Sequence, residues 1–194
     1  MRRANWLISI LMVLSGLVAC ASREKAVMPS EEISAEQQQT VLRKKVAALL
    51  GKNSCRRALE LMSVRTNPGA PAAGMDREYL TAMNGMIATG EGSLSRADYA
   101  VAGQSFRVVL DFYPVQSSLR GKIKRDQAQV RKQLENSGNR LLEQGLMEYR
   151  SGNLQNAISK WKEIITFDTG NKEAIKAIET ATVQLRTLQN INKP

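Results

Sequence analysis

The sequence predicts an all-α protein, and three observations predict it. The strong helix formers Ala, Leu, Gln, Lys and Glu dominate the chain of 194 residues. Beyond residue 34, apolar side chains recur at the spacing that lines one face of a helix. Short clusters of Gly, Pro, Asn and Ser separate these stretches, as turns between paired helices do. Hydrophobic residues make up 43% of the chain and aromatic ones 5%, so a single-domain core must come mainly from aliphatic side chains.

The first element is a leader. Arg2 and Arg3 precede an apolar run from Trp6 to Ala19, too short to span a bilayer comfortably and suited to the hydrophobic core of a secretory signal. The run closes on Leu17-Val18-Ala19-Cys20, which resembles the lipobox of bacterial lipoproteins: an aliphatic residue, two small ones and a cysteine. That resemblance implies a signal peptide over 1–19, cleavage before Cys20, a diacylglycerol thioether on its sulfur and acylation of the new α-amine. The thiolate is the nucleophile that makes such a thioether. Each buried methylene contributes about 0.8 kcal/mol, so several acyl chains anchor a protein to a membrane durably. Ala21 and Ser22 follow, with no aspartate after the cysteine, which resembles an outer-membrane address facing the periplasm; the inner membrane is the alternative. Residues 20–33 then read as a lipidated, polar tether.

A helical pair is expected over 34–66. Ser34-Ala-Glu-Gln37 fits a capping box, Val41, Val46, Ala47, Leu49 and Leu50 keep helical spacing, and Gly51 ends the helix. A shorter helix follows from about Ser54 to Val64. Asn67-Pro-Gly-Ala-Pro-Ala-Ala-Gly74 predicts a loop and a boundary, with a second helical domain over 76–194. There Asp76 is the expected N-cap of a helix loosened at Gly90-Glu-Gly-Ser93, and another runs from about Arg96 to Tyr113, before Pro114. The next is expected from about Ser118, with Leu119, Ile123, Val130 and Leu134 on one face and a break at Asn136-Ser-Gly138. Leu141 to Arg150 and Leu154 to Phe167 form a hairpin about Ser151-Gly-Asn153, and Asn171 caps a last helix to about Leu188.

Displacing the chain against itself by 55 residues aligns Gly90 with Gly145, Asp98 with Asn153, Ala102 with Ala157, Phe106 with Trp161 and Leu110 with Ile165. The second copy, with Gly145, Tyr149, Gly152-Asn-Leu154, Ala157 and Trp161, resembles a tetratricopeptide repeat. The first copy matches at Ala102, Phe106 and Pro114 and departs at Glu91-Gly92. The resemblance implies helical hairpins stacked as a short solenoid, with an extra helix near 118–137 between the two copies. It also implies a partner-binding inner face on the first helix of the hairpin, here Asn139, Leu142, Leu146, Tyr149 and Arg150. Leu142 and Leu146 could equally bury themselves against the preceding helix. Trp161 and Phe106 read as core.

Charge and missing residue types limit the chemistry. The chain has 28 Lys+Arg, 18 Asp+Glu and no histidine, a formal charge of +10. This excludes histidine-dependent triads, His-ligated metals and an ordinary imidazole pH switch. Two cysteines hold no zinc or cluster alone, and no carboxylate pair is placed as acid and base, so neither metal nor cofactor nor catalysis is expected. Arg120, Lys122, Lys124, Arg125, Arg131 and Lys132 concentrate basic charge in a stretch read as one amphipathic helix. It is either a solvated face or a surface for an acidic segment, lipid head groups or cell-wall polymer; with no interleaved aromatics it is a poor nucleic-acid surface. Cys55, left alone after lipidation, sits at a helix start beside Arg56, where a thiol pKa can fall, yet reads best as an inert, part-buried residue. The expected function is a non-enzymatic, membrane-anchored lipoprotein acting as an interaction or assembly module of the bacterial envelope. Peptidoglycan binding or hydrolase adaptation is the alternative, and a carboxylate enzyme a third.

Overall fold

The computed structural model describes residues 34–64 and 67–191. The signal segment 1–19, Cys20 and the tether 20–33 lie outside the described residues. The fold is all-α: α1 (Ala35–Gly51), α2 (Cys55–Met62), α3 (Asp76–Ser95), α4 (Tyr99–Asp111), α5 (Ser117–Arg120), α6 (Gln127–Arg150), α7 (Leu154–Ile165) and α8 (Lys172–Ile191). A two-stranded antiparallel ribbon, β1 (Ser63–Val64) and β2 (Asn67–Pro71), interrupts it. From Ser34 onward the chain forms one compact unit.

Several helix ends are built as their side chains dictate. Gln37 N donates to Ser34 Oγ at 3.2 Å while Ser34 N donates to Gln37 Oε1 at 2.9 Å, closing the capping box of α1. Asp98 accepts from Val101 N to start α4, and Asn171 accepts from Ala174 N to start α8. The first turn of α3 has a different origin: Asp76 is already helical, and the cap position is Met75, with no side-chain bond.

Three hairpins, α1–α2, α3–α4 and α6–α7, share one turn. In each, a residue at positive φ (Asn53 at 54°, Ala97 at 60°, Gly152 at 81°) precedes the first residue of the second helix by two. The N–H of the intervening residue reaches back five positions in each: Ser54 to Leu49 O, Asp98 to Ser93 O and Asn153 to Glu148 O, all at 2.9 Å. Four residues further on stands a fully buried alanine, Ala58, Ala102 or Ala157. The helical pair at the N-terminus is thus a third hairpin of the same kind. The second helix of each packs on the next long helix: α2 on α3, α4 on α6 and α7 on α8. Buried side chains of α1 to α4 with Val130 make one core cluster and those of α6 to α8 a second, with Leu134 touching both.

Four expectations are corrected. First, α3 passes unbroken through Gly90-Glu-Gly-Ser93, because Gly90 lies beneath the Phe106 ring, where a Cβ would stand 2.7 Å from ring carbons. Second, the single basic helix from Ser118 is two pieces. After α5 comes a turn, and Asp126 with Gln129 forms a second capping box that starts α6 afresh. Third, α6 continues through Asn136-Ser-Gly138. The Ser137 hydroxyl donates to Gln133 O at 2.9 Å, and Ser137 and Gly138 are both buried, with Ile164 and Phe167 at ordinary contact distance from where a Gly138 Cβ would stand. The extra helix between the repeats is therefore α5 plus the first half of α6. Fourth, residues 67–71 form β2 rather than a loop. Gly69 lies against Tyr113 O with no room for a Cβ, and Val115 N donates to Gly69 O at 3.2 Å.

Candidate functional site

At 100° per residue, Asn139, Leu142, Leu146 and Tyr149 fall on one side of α6, next to the stripe of Leu141 and Gly145 that faces α7. Gly145 sets the depth of the site. The Trp161 indole lies where its Cβ would stand, 2.2 Å from Nε1, so α6 and α7 approach closely and the ring is sandwiched between them. Trp161 Nε1 donates to Leu142 O at 3.3 Å, and the Tyr149 ring lies tilted over the indole, centroids 6.0 Å apart.

Together with α8 these residues make an open groove of about 340 Å³, lined by Leu146, Tyr149 and Trp161 on one side and Glu173, Lys176, Ala177 and Thr180 on the other. Its wall is mostly carbon, and Leu146 keeps 41% of its surface exposed. Such a groove suits an apolar side chain of an incoming segment, with Glu173 and Lys176 at its rim to meet polar backbone or charge. Nothing in it resembles a catalytic constellation. Among the described residues no group of three or more His, Cys, Asp or Glu is placed to hold a metal ion.

The five residues marked by the sequence separate in the structure. Leu146 and Tyr149 line the groove. Leu142 is half-buried and packs against the second core cluster, built on α6 to α8. Asn139 borders a polar depression further up α6 with Lys132, Gln133, Glu135 and Asn136, and Arg150 is exposed at the helix end. The α8 wall was missed. Its signal is the run of small residues Ala174, Ala177 and Ala181, which reads in the sequence as ordinary helix former and in the fold as the face set against α7 and the groove.

The basic residues do not form a stripe. Arg120 donates to Pro114 O and Val115 O at 2.9 and 2.8 Å, which holds the α4–α5 connection. Arg125 pairs with Glu91 at 2.7 Å and its carbonyl accepts from the Tyr113 hydroxyl at 3.2 Å. Asn84 of α3 clamps the same turn by accepting from Lys124 N at 2.9 Å and donating to Lys122 O at 3.3 Å. Lys122 and Lys124 thus project from a fixed turn, and Arg131 and Lys132 from the exposed side of α6. Cys55 is buried against Gly85, and that burial raises its thiol pKa, opposite to the acidification its helix-start position suggests. Its Sγ would stand 2.6 Å from a Cβ at Gly85, which assigns it a packing role.

The fold and this groove define an all-α protein of stacked helical hairpins with an open, mostly apolar groove beside α8. Comparison with known protein families, with curated proteins and with solved structures finds no significant match. No helix among the described residues is long and apolar enough to cross a membrane.

Proposed function

We propose that this chain is a lipid-anchored envelope protein, facing the periplasm, whose groove between α6 and α8 binds a segment of a partner protein. The observation that carries this reading is the groove itself: an apolar hollow floored by Trp161 and walled by Leu146, Tyr149 and Ala177. The leader ending at Leu17-Val18-Ala19-Cys20 supports the anchor, and the recurrent hairpin turn supports the resemblance to tetratricopeptide repeats. The partner contributes one bulky apolar side chain, and the anchor holds the domain close to envelope machinery so that a modest affinity suffices.

Site-specific photocrosslinking in intact cells tests it. A crosslinker at Leu146 or Thr180 is expected to give one discrete adduct that disappears in Tyr149→Ala, while a crosslinker at Gln155 gives none. Absence of an adduct from both groove positions, or the same adduct from Gln155, overturns the groove as the binding site.

A further inference from the structure

We infer that the outer side of α7 and α8, away from α6, is a self-association surface whose occupant is a second copy of this chain. Ile165 of α7 with Ile175 and Ile178 of α8 line an open groove of about 480 Å³, and Ile175 is 38% exposed. In a stack of hairpins each helix buries its apolar side on a neighbour; here Ile175 and the half-buried Ile165 and Ile178 line an open groove instead. On the α8 wheel these residues lie opposite Glu173, Lys176 and Thr180, so this surface and the partner groove can be occupied at once.

The charges name the occupant. Lys162 stands on the α7 rim of the isoleucine groove and Glu179 on the α8 rim, and neither forms an ion pair among the described residues. A two-fold contact requires a self-complementary patch. An axis running along the groove sets α7 of one copy against α8 of the other, buries the isoleucines against one another and pairs Lys162 with Glu179 of the partner copy twice. A foreign partner would need only one such complement; a two-fold copy needs opposite charge on both rims, which is the arrangement present.

Sedimentation of the chain from residue 20 onward, carrying Cys20→Ser to keep it unlipidated, tests the inference. The parent is expected to dimerise, Lys162→Glu and Glu179→Lys each to weaken association about tenfold or more, and the double swap to restore it. An equimolar mixture of the two single variants is expected to form a heterodimer, because both rim pairs are then opposite in sign. These side chains line the surface, so unchanged circular dichroism verifies that each variant is folded. A monomer at every concentration up to about 1 mM overturns the proposal. So does a dimer insensitive to Lys162→Glu, or a swap that fails to restore association. Photocrosslinking at the other groove is independent of every one of these outcomes.

Discussion

Single side chains decide how closely these helices meet. Gly145 is the sharpest case: a methyl group there would collide with the Trp161 indole, and the ring could escape only by abandoning its bond to Leu142 O. Gly145→Ala is expected to cost about 2–3 kcal/mol in denaturant unfolding and to distort the groove, since overpacking a fitted core cannot be relieved locally. Tyr79 holds another junction. It is fully buried, and its hydroxyl faces Phe112 O and Pro68 O, tying the end of α4 to the β ribbon. Tyr79→Phe removes the donor from both carbonyls and is expected to cost about 1–2 kcal/mol at neutral pH. Burial also pushes the phenol up to about 12. An unfolded tyrosine ionises near 10, so the contribution of Tyr79 is complete below pH 10 and is lost as pH rises through about 12. Unfolding free energy followed across that window is expected to fall less steeply in Tyr79→Phe, by up to about 1.4 kcal/mol per pH unit. Cys55 and Tyr113, also raised by burial, keep part of the slope.

Elements were legible where a cap or turn signals locally. Ser34 with Gln37, Asn171, and the Ser151-Gly-Asn153 turn each bond within a few residues, so sequence alone identifies them. Gly90 was misleading because a glycine's helix cost of about 1 kcal/mol is visible locally, whereas the Phe106 ring that needs the vacant space is not; Ser137-Gly138 was misleading because both residues are buried inside the packed α6. The third hairpin escaped the search for repeats because its positions are disguised. Val46 and Met62 stand where the others have a glycine and an aromatic, and 44 residues rather than 55 separate its turn from the next. The turn between α5 and α6 was likewise hidden, since its order comes from distant Asn84 and Glu91. Asn84→Ala is expected to release it: limited trypsin digestion should cut after Lys122, Lys124 or Arg125 several times faster, with the rest of the chain still resistant. Equal cleavage of the two proteins would mean that Asn84 does not hold the turn.

At the scale of the whole molecule, the leader and the helical body carry different kinds of information. The proposed lipid anchor rests on a short linear motif, and Cys20→Ser is expected to abolish incorporation of labelled fatty acid while leaving the folded unit from Ser34 intact; persistent labelling would remove the anchor from the proposal. The cleavage proposed before Cys20 would also take Arg2 and Arg3, leaving 26 basic and 18 acidic residues. That excess, which looked concentrated in one helix, is divided among a guanidinium bonded to backbone, an ion pair, a clamped turn and the open face of α6. From sequence alone came the all-α class, the caps at Ser34 and Asn171, the glycine–aromatic correspondence and the absence of histidine chemistry, because composition, periodicity and capping act over a few residues. Tertiary structure alone decided that three hairpins stack in series, that α6 is one helix, and that α8 completes one groove on its inner side and lines another with Ile175 and Ile178 on its outer side. Those outcomes depend on which side chains meet across large separations in the chain, and a contact of that kind exists only once the helices have packed.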